Sequence, residues 1–198
     1  MPLLQSLTTW FALNSSNDVS ASGINDPVTG AQIFIGDLDL GVYFDLTEAE
    51  ANSMSYTAVG TLHAGRYRRI KVDSGATASN IRTGTIGLMK SLALGVNVVT
   101  SYDQGLASGL HPVVFLNVIT PGNFGFVQEL GDASVLGAAA ITKGSPAVGD
   151  IVNSVASGLV DDPTVQENVP ATIGTAMQVP VASALFRIQL DGVPIVQG

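Results

Sequence analysis

The chain contains no cysteine, which excludes disulfides, thiolate metal sites and cysteine nucleophiles. Charge is the next shortage. Asp, Glu, Lys and Arg make up 12% of the 198 residues, about half the roughly 25% usual in a soluble domain. Cations are scarcest, eight against sixteen acids. The resulting net charge of −8 argues against nucleic-acid binding over the molecule as a whole. With one Trp and four Tyr, the ring platforms that sugars favour are also few. Long apolar runs are missing: no stretch reaches the ~18–20 uncharged apolar residues that would span a bilayer, so no membrane partner is expected. The first residues, MPLLQSLTTWFALNSS, carry no Lys or Arg and so lack the basic region of a secretory signal. The expectation is a protein made and kept in a cytoplasm until it is assembled.

What remains is apolar. Hydrophobic residues make up 46% of the chain and the mean hydropathy is +0.38, the opposite of a disordered composition. Little polar surface is left to cover the exterior, so part of the apolar surface is expected to be buried against partners. The charges are also unevenly placed. Residues 1–65 hold seven acids and no base, whereas six of the eight cations (Arg66, Arg68, Arg69, Lys71, Arg82 and Lys90) fall within residues 66–90.

Along the chain, an apolar start with Trp10 and Phe11 gives way to the turn-prone NSSNDVSASGINDPVTG. This stretch reads either as an arm ordered by a partner or as a segment tied down on its own domain. AQIFIGDLDLGVYFDL reads as two short extended pieces. Thr47 followed by Glu50 is a capping box and predicts one short helix. Beyond residue 55 the sequence is strand and turn: short β-branched or aromatic runs such as RYRRIKV, VNVVTSY and ALFRIQL recur between Gly, Pro, Asn, Asp or Ser. That spacing signals a sandwich or a barrel. In ALFRIQL, Leu185, Ile188 and Leu190 define the apolar face and Phe186 breaks the register. Asp191-Gly192 is a hairpin-type turn, and Pro194 marks the last piece as an edge strand or terminal extension. The expected architecture is mainly β, a barrel or sandwich of short strands over 56–198. Residues 1–55 precede it as an extended N-terminal arm with one short helix.

Chemistry is hard to find. A nucleophilic serine needs a base beside it, yet His63 and His111 both sit next to apolar strand text and no G-x-S-x-G elbow occurs. Such histidines read as half-buried, with hydrogen-bonded rings. Asp37, Asp39 and Asp45 lack the loop and distal glutamate of an EF-hand and read as solvated edge charges. Asp161-Asp162-Pro163 reads as an exposed turn. LGAAAITKGSPAVG has neither a Walker ending nor a dinucleotide fingerprint. The expectation is no catalytic residue, no metal and no cofactor. The basic strand carries Arg66 and Arg68 on one face with Arg69 opposite and Lys71 beyond. These cations either neutralise the chain's own acids or meet an acidic partner, since guanidinium pairs bidentately with carboxylate. Phosphate contact is the weakest of the three readings, because one short patch gives few contacts.

Two stretches carry a resemblance. HPVVFLNVITPGNFGFVQELGDASV (111–135) sets a strand, a Pro-Gly-Asn turn and an aromatic-glycine-aromatic strand in series. GSPAVGDIV is then followed by ATIGTAMQVPVASALFRIQLDG. Together they resemble tailed-bacteriophage capsid decoration (cement) proteins over about 70 residues. The resemblance implies a virion protein on the outer capsid surface that binds the major capsid protein, stabilises the coat lattice and self-associates as a homotrimer. The N-terminal 55 residues match no pattern of that family, which leaves the attachment site open. Trp10, Phe11, Arg66, Arg68, Arg69 and Lys71 are the candidate interface residues. The alternatives are another phage virion component (head fibre, tail or coat protein) or a small-ligand-binding β-barrel, whose mouth would be lined by apolar side chains.

Overall fold

The computed structural model describes residues 18, 24–25, 32–33, 40–41, 43–53, 62–91, 97–102, 110–164 and 172–192. Trp10, Phe11, Asp37, Asp39, Pro194 and most of the N-terminal arm lie outside them. The strands in chain order are β1 (Ile24–Asn25), β2 (Gln32–Ile33), β3 (Tyr43–Leu46), β4 (Gly65–Val72), β5 (Ile86–Ser91), β6 (Val98–Ser101), β7 (His111–Phe115), β8 (Phe124–Leu136), β9 (Ile151–Ser154), β10 (Val160–Asp161), β11 (Thr172–Ala176) and β12 (Leu185–Leu190). Helix α1 (Glu48–Ser53) lies between β3 and β4.

Five strands close a barrel. β4 pairs antiparallel with β8, β8 with β7, β7 with β5 and β5 with β6, and β6 returns to β4 in parallel. Alternation fills its interior: Ile70 and Val72 from β4, Met89, Val99, Val113, Phe115 and Val127 point inward and pack with Ile81 and Ile119. The expected barrel or sandwich is therefore a closed barrel with added strands.

Strand β8 changes partner along its length within one ten-stranded sheet. Its first half closes the barrel against β4, and residues 131–136 pair instead with β12. The change of partner falls at Gly131, whose φ of +99° favours glycine. From there β12, β11, β9 and β10 carry that sheet away from the barrel, and this extension is the second sheet. Ala133, Val135, Phe186, Ile188, Leu190, Val152 and Ile173 pack it onto Ile86, Leu88 and Val114 on the outer wall of β5 and β7. Two expectations change here. NFGFVQEL and SVLGAAAI are one long, kinked strand over most of their length, since glycine lets the chain turn without ending the ladder. In β12 it is Phe186, Ile188 and Leu190 that face the core, while Leu185 is 50% exposed. Phe186 keeps the register and Leu185 is the outlier.

The opposite wall is covered by β3 and α1. Phe44, Leu46 and Ala51 pack on Tyr67, Phe126, Leu62 and Leu116, with Phe44 stacked on Tyr67 at 5.2 Å and edge-on to Phe126 at 5.5 Å. The capping box is formed as expected: Thr47 N–H donates to Glu50 Oε2 (2.8 Å) and Glu50 N–H donates to Thr47 Oγ1 (3.3 Å). The Thr47 N–H and then the Thr47 hydroxyl, both donating to Glu50 Oε2, hold the Glu50 carboxyl below its ordinary value. Because the folded pKa is depressed, this contribution is present above the unfolded pKa and lost as pH falls through the folded one. In Thr47→Ala, which removes the hydroxyl donor and keeps the N–H, an NMR titration is expected to show Glu50 moving part of the way up towards 4.5; an unmoved Glu50 would mean the hydroxyl plays no part in the cap.

Candidate functional site

The basic strand turns its charge inward, onto this chain. β3 lies beside β4 with Asp45 opposite Arg66 and Tyr43 opposite Arg68. Arg66 donates to both Asp45 oxygens (2.8 and 3.2 Å) and sits 4.5 Å from the Tyr43 ring centre. The Arg66 guanidinium beside it holds Asp45 below the usual carboxylate range. Arg68 forks onto Glu129 (2.8 and 3.0 Å) and donates to the Gly41 carbonyl (3.1 Å), a largely buried bidentate pair. On the other face Arg69 is buried, its guanidinium 5.8 Å from the centre of the Phe124 ring. Lys71 Nζ lies 5.3 Å from the same ring, half-buried. Lys90 pairs with Asp73, and Arg82 is exposed. The strand-face reading of Arg66, Arg68 and Arg69 thus matches the register, with Asp45 and Glu129 as partners of the first two.

Asp161-Asp162 is not an exposed turn. Both residues are buried, and Asp161 accepts hydrogen bonds from the Thr142 N–H (2.8 Å), the Thr142 hydroxyl and the Asp162 N–H (2.9 Å). Both oxygens of the buried side chain thus have hydrogen-bond partners. His111 has the hydrogen-bonded ring expected of it, with Nδ1 3.2 Å from the Gly192 carbonyl oxygen.

Five of the eight large apolar side chains exposed among the described residues lie elsewhere, at the end of the second sheet. The loop joining β11 to β12 exposes Met177 (42%), Val179 (50%) and Val181 (48%) and leads into Leu185. Hydrogen bonds from the Gly149 N–H to the Ala176 carbonyl and from the Ala176 N–H to the Asp150 carbonyl bring Val148, 62% exposed, alongside. Residues 172–186 hold no ionised side chain, and in the adjoining turn Lys143 pairs with Asp150. In the sequence most of this end lies within ATIGTAMQVPVASALFRIQLDG, none of whose residues stands among the candidate interface residues. The legible signal was MQVPVASAL, an uncharged apolar run between two strands, where connecting segments are normally polar.

A polar corner was missed as well. Just past the kink in β8, Asp132 binds Arg187 through Nε (2.9 Å) and a second nitrogen. Buried His63 lies on the same face, with Nε2 2.8 Å from Ser134 Oγ. Burial, and then the nearby Arg187 charge, hold His63 below its ordinary value, so its imidazole is neutral at neutral pH. Burial pushes the Tyr67 phenol up to about 12. It therefore stays a donor, to the His63 carbonyl (2.7 Å), while accepting from the His63 N–H (3.0 Å).

No helix among the described residues is long and apolar enough to cross a membrane. No protein-family model matches the chain, and no curated protein matches it. Among solved structures, the N base of the head fibre gp8.5 of bacteriophage phi29 is similar to this chain at 15% identity and a TM-score of 0.43, with 67% of this chain and 98% of that one covered.

Proposed function

We propose that this chain is a structural protein of a phage head, attached to the outer capsid surface as a decoration protein that stabilises the coat lattice and self-associates, as a homotrimer. The observation that carries the reading is the uncharged end of the second sheet. Five large apolar side chains (Val148, Met177, Val179, Val181 and Leu185) stand 42–62% exposed there, and exposed apolar side chains gathered at one uncharged end support contact with another protein. The resemblance of 111–135 and 144–192 to decoration proteins supports the same role, because the second stretch contains this end. Modest contacts made by several linked copies at once would suffice to hold the protein on a lattice. The phi29 protein is the base of a head fibre, and that placement on a head is the second reading.

The test is co-sedimentation of the purified full chain with capsids of its parent phage. Wild type is expected to bind. Val179→Asp/Val181→Asp is expected to bind at least ~10-fold more weakly, with an unchanged circular dichroism spectrum, because a charge at an apolar contact is desolvated without a partner. Failure of folded wild type to bind removes the role, and equal binding by the double variant removes this end as the contact.

A further inference from the structure

We infer that Glu48, His63 and Asp132 form a binding site for one divalent first-row metal ion of the zinc type, at the corner where β8 leaves the barrel. The three residues come from separate elements: the first residue of α1, the segment before β4, and the residue after Gly131. One ligand atom from each lies within 4.8 Å of the others, close enough for a single ion to draw all three to bonding distance. His63 and Asp132 are buried and Glu48 is exposed, so an ion enters past Glu48.

The surrounding hydrogen bonds fix this convergence. Asp132 N–H donates to the Ala64 carbonyl (2.8 Å), which sets the β8 corner against the turn that carries His63. Ala64 N–H donates to Glu48 Oε2 (3.3 Å), which turns the helix carboxylate onto the same turn. The Tyr67 hydroxyl brackets the His63 peptide from both sides, and Ser134 orients the ring, as outer contacts orient metal-binding histidines. One imidazole nitrogen with two carboxylates suits zinc and its neighbours rather than calcium or magnesium, which take oxygen ligands only. Three protein ligands leave a fourth position for water or a partner's side chain.

Arg187 is the built-in competitor. It holds Asp132 with two nitrogens, so metal and guanidinium contend for one carboxylate. Two carboxylates, Glu48 and Asp132, thus face one guanidinium at this corner. An ion here ties α1 and the β3 side of the molecule to the junction of barrel and second sheet.

The test uses the full chain, stripped with a chelator and titrated with zinc chloride by calorimetry at pH 7.5. Wild type is expected to take up one ion with micromolar affinity. At a hundredfold excess over Kd, its Tm is expected to rise by about 5–10 °C, with calcium giving no shift. Glu48→Gln, an exposed change that leaves the fold intact, should weaken binding at least tenfold, and His63→Gln should abolish it. Arg187→Gln should tighten binding about tenfold by releasing Asp132. His111→Gln, remote from the corner, should bind as wild type. No binding by wild type, or equal affinity in wild type and Glu48→Gln, overturns the site even if His63→Gln fails to fold. Neither result bears on capsid attachment, which is read by co-sedimentation.

Discussion

Phe115→Ala is expected to destabilise the protein by about 3–5 kcal/mol, as large aromatic truncations in a closed core do. For a chain of this size that is a fall in Tm of roughly 6–20 °C. Phe115 is fully buried on the inner face of β7 and contributes its ring to the barrel interior. The ring lies against the bare backbone of Gly87 in β5: a Cβ there would come within 2.6 Å of Phe115 Cε2 and 2.7 Å of Val99 Cγ1. Glycine at 87 and phenylalanine at 115 are two halves of one packing solution in a narrow barrel. Gly87→Ala alone should therefore destabilise by overpacking, about 1–3 kcal/mol. Combined with Phe115→Leu, it should be less harmful than the sum of the single changes. A thermal-denaturation double-mutant cycle reads this directly, with a coupling of roughly 0.5–3 kcal/mol expected for residues in contact. Strict additivity would show that the two do not share the space.

Gly131→Ala should be nearly as severe, for a backbone reason. Gly131 sits at φ +99°, and a Cβ there would meet the Ala64 carbonyl oxygen and Gly65 Cα, each at 2.6 Å. Gly65 opens β4, the strand that β8 pairs with to close the barrel, and Ala64 is the residue just before it, so neither backbone atom can yield cheaply. Left-handed strain of about 1–2 kcal/mol adds to an overpacking term of about 1–3 kcal/mol, giving about 3 kcal/mol. Gly122→Ala is the control. Gly122 has a similar φ of +90° with nothing within 4 Å of its Cβ position, so only the strain applies. Equal Tm losses in the two variants would show that the corner is not closely packed.

Features set by near neighbours were legible in the sequence. Thr47 and Glu50 are three residues apart and could be matched by spacing alone. The alternation in RYRRIKV placed Arg66 and Arg68 on one face and Arg69 on the other, as β4 has them. The turn-dense text gave a mainly β fold with one short helix. Choices between near-equal local readings were less secure. Leu185 and Phe186 are both apolar, and only the pairing of β12 with β8 decides which one faces the core. Gly131-Asp132 looks like the end of a strand, yet the ladder continues because β12 takes over where β4 stops.

Composition, alternation and turn chemistry by themselves determined that this chain is a charge-poor β protein with a capped helix, because those signals act within a few residues. Tertiary structure alone decided that the strands close into a barrel, that Arg66 and Arg68 are held by Asp45 and Glu129, and that Glu48, His63 and Asp132 meet at one corner. Each of these depends on residues distant in the chain becoming neighbours. That is settled by which strands pair and how much apolar surface the pairing buries, quantities that no local window contains.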